Sequence, residues 1–214
     1  MKTPALAVSM LLAVPAAAAG QQLRLAIMGA GSDYREQSAS LAFDGTGGAG
    51  RVEIAAGRFT VAATGSRLSF VRTATAAVDA EPFVWKELDL TGRFRLVSIV
   101  SVEVGAMRRW IEPDRAAQAV RVAKVGLRAD YPLAPGADAG LRAGYLTGAT
   151  FSGGGAAKAG LALGFGLSYG AKRRGPRITA DYDFLRINRE TTIGNRIPVP
   201  IQSSTARVGL LLIL

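Results

Sequence analysis

Ala159-Gly-Leu-Ala-Leu-Gly-Phe-Gly-Leu-Ser-Tyr169 sorts its residues by parity. Ala159, Leu161, Leu163, Phe165, Leu167 and Tyr169 are apolar, whereas Gly160, Ala162, Gly164, Gly166 and Ser168 between them are tiny. Successive side chains of a strand point to opposite faces, so this stretch has one greasy face and one nearly bare face, the latter extended by Lys158. A helix, with its period of 3.6, would scatter the same residues, and its three alternate glycines would each cost roughly 1 kcal/mol. The reading is a strand with lipid on one side and a crowded polar interior on the other.

Outward from this stretch the alternation recurs. Leu88, Leu90, Phe94 and Leu96 oppose Glu87, Asp89, Thr91, Arg93 and Arg95. Val100, Val102, Val104 and Ala106 oppose Ser101 and Glu103. Ala119, Ala123, Val125, Leu127 and Ala129 face away from Lys124, Arg128 and Asp130, with Arg121 out of phase near a loop end. Leu141, Ala143, Tyr145, Ala149 and Phe151 oppose Arg142, Gly144 and Gly148. Ile178, Ala180, Tyr182 and Phe184 oppose Thr179, Asp181 and Asp183, and the chain closes on Ala206, Val208, Leu210, Leu212 and Leu214 opposite Arg207 and Gly209.

The first part is less regular. Leu23, Leu25 and Ile27 alternate, residues 29–38 break the pattern, and residues 45–50 read as a glycine-rich turn. Val52, Ile54 and Ala56 share a face, and after Gly57 the phase passes to Phe59, Val61 and Ala63. A hairpin here would leave two strands of about six residues where a membrane strand needs roughly 9–11, so one strand with a glycine bulge is expected. Leu68, Phe70, Ala74 and Ala76 then line one face.

An open sheet cannot live in lipid, because its edge N–H and C=O groups would lack partners; closure removes the edge. The expected fold is therefore all-β, a closed antiparallel up-and-down transmembrane barrel. Ten strands are expected, with eight and twelve left open by residues 20–65. Short turns near residues 97–99, 132–138 and 171–176 belong to the periplasmic end. Connections at residues 77–82, 108–115, 152–155 and 188–204 belong outside. Trp85, Trp110, Tyr131, Tyr145 and Tyr169 are placed for an aromatic girdle. A soluble lipid-binding barrel with the apolar face turned inward is the rival. The glycines on the polar face (Gly144, Gly148, Gly160, Gly164 and Gly166) favour the membrane reading, because an interior of arginines and carboxylates needs that room.

Residues 1–19 have the pattern of a cleaved secretory signal: Lys2, an apolar run from Ala5 to Val14, and an Ala-rich ending. Residues 20–214 form the barrel domain. The chain contains neither cysteine nor histidine and carries a formal net charge of +10. That charge is spread singly along strands, without the basic helix or aromatic motif of a nucleic-acid binder, so no nucleic acid is expected. Anionic lipid headgroups, those of outer-membrane lipids including lipopolysaccharide, are the better functional reading of the excess, and a solvated or internally paired set of arginines is the plainer reading and ranks above it. The signal and the alternating pattern together resemble the small outer-membrane β-barrel proteins of Gram-negative bacteria, the group of the OmpX-like proteins, the OmpA transmembrane domain and the opacity proteins. Residues 207–214 look like the carboxyl-terminal strand that the barrel-assembly machinery of that group recognises, although Leu214 stands where an aromatic residue is usual.

Chemistry is sparse. Residues 166–170 spell G-x-S-x-G, but Ser168 lies in a strand and no histidine exists to act as base. A Ser168–Lys158 pair is a remaining nucleophile arrangement. Residues 45–50 spell G-x-G-x-x-G with a strand, not a helix, after them, so no dinucleotide is expected. The pairs Glu87/Asp89 and Asp181/Asp183 share strand faces with basic residues. The expectation is a structural ion-pair network in the lumen: Glu87, Asp89, Arg93, Arg95, Glu103, Lys124, Arg128, Arg142, Lys158, Asp181, Asp183 and Arg207. No metal, cofactor or catalytic residue is expected. The function read from the sequence is a non-enzymatic barrel with a structural or surface-interaction role and at most a narrow pore. An envelope lipid hydrolase and a soluble periplasmic lipid-binding barrel are the alternatives.

Overall fold

The computed structural model describes residues 21–36, 41–73, 81–113, 119–152, 154–172, 174–190 and 198–214, and leaves the side chains of Ala156 and Lys158 undescribed. The expected signal segment lies outside these residues. Ten strands follow one another: β1 (Gln21–Glu36), β2 (Leu41–Ala56), β3 (Phe59–Arg72), β4 (Phe83–Arg95), β5 (Val100–Glu112), β6 (Val120–Ala134), β7 (Ala137–Phe151), β8 (Ala156–Gly170), β9 (Gly175–Glu190) and β10 (Ile201–Ile213). Each pairs antiparallel with its sequence neighbours, and β1 pairs with β10, from Arg24 opposite Ile213 to Glu36 opposite Ile201. The sheet is thereby closed without an edge.

Both described chain ends lie at one end of the barrel, together with the tight β2–β3, β4–β5, β6–β7 and β8–β9 turns. The opposite end, here the loop end, carries the β1–β2, β3–β4, β5–β6, β7–β8 and β9–β10 connections. The amino-terminal quarter departs from expectation. Gly57, at φ 59°, makes a tight turn between β2 and β3 instead of a bulge within one strand. Room for two full strands exists because the glycine-rich residues 45–50 are themselves extended in β2. Likewise β1 runs unbroken through residues 29–36, β5 reaches Glu112 through residues expected in a loop, and β9 runs to Glu190 and β10 begins at Ile201, both within residues expected in a loop. In each case neighbouring strands supply hydrogen-bond partners that outweigh a local pattern poor in apolar alternation.

At the termini end the faces are as the alternation dictates. Leu25, Ile27, Val61, Leu90, Leu127, Leu163, Phe165, Ile178 and Leu210 point out from the barrel and are exposed, Ile27 by 81%. A belt of large apolar side chains around a closed barrel far exceeds what a water-soluble surface carries. Hydrocarbon is the solvent that accepts it, and the barrel spans a membrane with this belt.

Toward the loop end the polarity inverts. In β3, Phe59 and Val61 are exposed outside, whereas Leu68 and Phe70 are buried inside, with continuous pairing between them. In β1 the outward Leu25 and Ile27 give way to the inward Met28 and Tyr34; in β4, Phe83 and Trp85 point in while Leu88 and Leu90 point out. On the outer face of this half stand Gly31, Asp33, Thr46, Arg67, Ser69, Lys86, Arg108, Arg121, Asn188 and Ser204. The expectation that Leu68, Phe70 and Phe151 meet lipid is therefore corrected, as is the girdle position of Trp85: all four are buried in the core. Phe151 turns inward because β7 shifts register between the partners of Arg121 and Ala123, around Gly148 (φ 61°), which is exposed and not on the polar face. Ala119 likewise packs in the core. Roughly 9–11 residues of tilted strand cross hydrocarbon. These strands run from 13 to 16. The surplus length forms a second, water-facing storey.

Candidate functional site

The lumen has two compartments stacked along the barrel axis. In the termini half, inward positions of neighbouring strands bring acids and bases together. Asp183 of β9 is held between Arg142 of β7 and Arg207 of β10. Lys124 of β6 bonds Asp89 of β4, which also accepts from Thr91 at 2.9 Å. Glu53 of β2 is bridged by Arg24 at 2.7 Å and by Arg93 at 2.6 Å, and Arg93 also reaches Glu103 at 3.7 Å and Asp130 at 3.6 Å. Arg128 donates to Asp130 at 2.7 Å, and Arg51 lies 3.5 Å from Asp181. Nearer the mouth, Arg177 bonds Asp138. Ion pairs of this kind are retained in an interior because a lone buried charge costs several kcal/mol, on the order of 3–5 when one partner is removed.

Glycines make the room. A Cβ at Gly164 would lie 2.1 Å from Nε of Arg142 and 2.7 Å from Oδ1 of Asp183. The bare even-numbered face of β8 is thus the space the Arg142–Asp183–Arg207 bridge occupies.

Of the residues expected in the network, Glu87, Asp89, Arg93, Glu103, Lys124, Arg128, Arg142, Asp181, Asp183 and Arg207 face the lumen with the partners above, Glu87 being taken by Arg109 at 2.8 Å. Arg95 is exposed at the end of β4, with no ion pair among the described residues. The side chain of Lys158 lies outside the description; its backbone sits at a register shift between Ala157 and Ala159. Arg24, Arg51, Glu53, Arg109, Asp138 and Arg177 join the network in addition to the expected residues. Parity could have found Arg24 and Glu53, which stand opposite Leu23/Leu25 and Val52/Ile54. Arg109 lies in a segment whose sequence reads as a loop but which is strand β5.

The loop half is packed like the core of a soluble protein. Tyr34, Phe43, Phe70, Phe83 and Trp85 form a continuous aromatic stack, with Phe70 parallel to Phe83 at 4.8 Å and to Trp85 at 5.2 Å, and Tyr34 edge-on to Phe70, Phe83 and Trp85 at 6.0–6.3 Å. Leu68, Ile111, Val120, Val122, Leu146, Ile187 and Ile201 complete it. Arg109 joins the two compartments: its guanidinium lies 3.3 Å from the Trp85 ring centroid and bonds Glu87 with two nitrogens, at 2.8 and 3.0 Å. Below this junction is a cavity of about 110 Å³ lined by Trp85, Met107 and the charged side chains. It is roomy enough for several water molecules, since one needs roughly 10–15 Å³ of such space.

Ser168 Oγ accepts from Arg177 at 2.9 Å. A guanidinium does not take up a proton near neutrality, so this partner cannot act as a general base. The carboxylates at 87/89 and 181/183 each have a basic partner, and no cluster of metal-ligating side chains occurs among the described residues.

No protein-family model and no curated protein matches the chain. Solved structures are similar to it at low identity and low TM-score. Neisserial surface protein A is 13% identical, with a TM-score of 0.45 over 91% of this chain and 99% of its own. The outer membrane protease OmpT from Escherichia coli is 8% identical, with a TM-score of 0.46 over 91% and 96%. Ail, the attachment invasion locus protein of Yersinia pestis, is 13% identical, with a TM-score of 0.38 over 91% and 100%. The functional reading therefore rests on this chain's own residues.

Proposed function

We propose that the protein is a non-enzymatic barrel of a Gram-negative outer membrane that does its work by presenting the loop-end connections and the polar outer wall beneath them. The short turns lie on the periplasmic side and the loop end faces outward. The observation that carries this reading is the polarity inversion. Below, the wall is apolar and the lumen ionic, as a membrane stave requires; above, the wall is polar and the lumen apolar, as a water-facing scaffold requires. A rigid scaffold beneath surface connections is the usual basis for recognition by loops. Outer-membrane lipids, lipopolysaccharide among them, surround the belt, and the barrel-assembly machinery inserts the chain.

The aromatic stack closes the lumen, so the barrel passes no solute and at most a trickle of ions. Recording in planar bilayers tests this. The refolded protein gives a silent trace, and large, stable conductance steps would end the plugged-lumen reading. Fractionation tests the location: the protein stays with the outer membrane until detergent is added, whereas release as a soluble periplasmic protein would favour the lipid-binding alternative.

A further inference from the structure

We propose that the outer wall of β3–β6, just above the apolar belt, binds the headgroup of a lipid carrying two phosphates. This rests on the reading that the loop end faces the outer leaflet.

Four cations stand outward on adjacent strands, as two like-charged pairs in direct register: Arg67 opposite Lys86 across β3–β4, and Arg108 opposite Arg121 across β5–β6. Like charges facing each other on one sheet face are destabilising unless an anion sits between them. Among the described residues, acids do not supply that anion. No described acid pairs with Arg67, Arg108 or Arg121, and Glu112 takes only Lys86, at 2.6 Å in a well-exposed bridge. The acids of the wall at this level on β1 and β2 are Asp33, held by Arg35 at 2.9 Å, and Asp44.

Position argues for a lipid rather than a free anion. Arg108 is the register partner of Leu88, a residue of the exposed apolar belt. Trp110 lies opposite Lys86, and the Arg108 guanidinium sits 4.7 Å from its ring centroid. A tryptophan beside arginines at the edge of an apolar belt is the arrangement of a headgroup boundary. The methyl groups of Ala106 and Ala123, directly below, and the bare backbone of Gly148 beside them line a groove with Leu88 and Leu90, and Arg108 and Arg121 stand at its upper end. An acyl chain fits the groove while a phosphate meets the arginines, where guanidinium forks make paired, charge-assisted bonds.

Spacing argues for two phosphates. The centres of the two cation pairs are two strands apart, about 10 Å, and one outward step apart along the strand, about 7 Å, giving about 12 Å in all. One phosphate cannot bridge that distance; a disaccharide headgroup phosphorylated at both ends can.

The test uses the full chain refolded in a zwitterionic detergent, with retained lipid counted by native mass spectrometry. Diphosphoryl lipid A is the probe, with dephosphorylated lipid A, phosphatidylglycerol and inorganic phosphate as comparison arms. The wild type retains one diphosphoryl lipid, and R108Q/R121Q and R67Q/K86Q each weaken retention about tenfold or more, as loss of one bridged phosphate would. R186Q, on the wall of β9, leaves it unchanged. Equal retention of the dephosphorylated lipid or of phosphatidylglycerol, displacement by inorganic phosphate, or unaltered binding by both double variants would each overturn the proposal. Heat-modifiable migration on gels shows that every variant is folded. A wild type that needs no detergent to stay in solution would instead refute the membrane location on which the site depends.

Discussion

The two halves of this barrel share the same ten strands and are built on opposite principles. Near the termini, arginines and carboxylates fill the inside and leucines cover the outside; near the loops, aromatic rings fill the inside and polar residues cover the outside. In β3 the backbone passes from one regime to the other with continuous pairing, so the change there lies in the side chains alone, whereas β7 makes it with a register shift. The solvent outside decides which side chains each storey needs. Lipid rewards an apolar wall and leaves the lumen to compensate with paired charges; water rewards a polar wall and drives the rings inward. Arg109, stacked on Trp85 and bonded to Glu87, belongs to both regimes at their seam.

Substitutions can break this contrast one half at a time. Trp85→Ala removes the largest ring of the upper core, at a cost of about 3–5 kcal/mol read as a lowered urea midpoint in micelles. It also thins the plug, so bilayer recordings of this variant show more frequent openings than the wild type. Asp183→Asn leaves Arg142 and Arg207 without their shared anion and costs a similar ~3–5 kcal/mol in the same unfolding assay, since the remaining charges stay buried. Leu163→Arg, on the belt, costs about 2–4 kcal/mol in folding titrations into lipid vesicles. The same residue type introduced above the belt, as Thr46→Arg, shifts stability by less than about 0.5 kcal/mol. Equal costs at positions 46 and 163 would show that both storeys face the same solvent. Gly57→Ala in the tight turn falls between these two. A Cβ in the left-handed region costs about 1–2 kcal/mol there, with no difference between the halves.

The β8 stretch was legible because every second residue from Leu161 to Tyr169 is large and apolar, and one parity runs its whole length. The same rule placed Glu87, Asp89, Lys124, Arg142, Asp183 and Arg207 on the inward face, because parity alone fixes which residues share a side. It failed at Leu68, Phe70 and Trp85, where the rule "apolar means lipid" was carried past the height at which lipid ends. The signal was present: the apolar phase passes from odd positions at Phe59 and Val61 to even ones at Leu68 and Phe70 with no bulge between them. The hairpin at Gly57 was missed for a related reason. Residues 45–50 look like a turn when only glycines are seen, and their extended geometry comes from pairing with β1 and β3.

By itself the sequence determined a closed, alternating β-barrel, since strand parity is a local property that leaves a period-2 mark on the chain, and an edge in lipid has no partner for its backbone. Only the tertiary structure decided which parity faces in at each height, which cation meets which acid, and where lipid gives way to water. Those depend on the register between strands distant in sequence and on the tilt of the barrel, and no short stretch of residues encodes either.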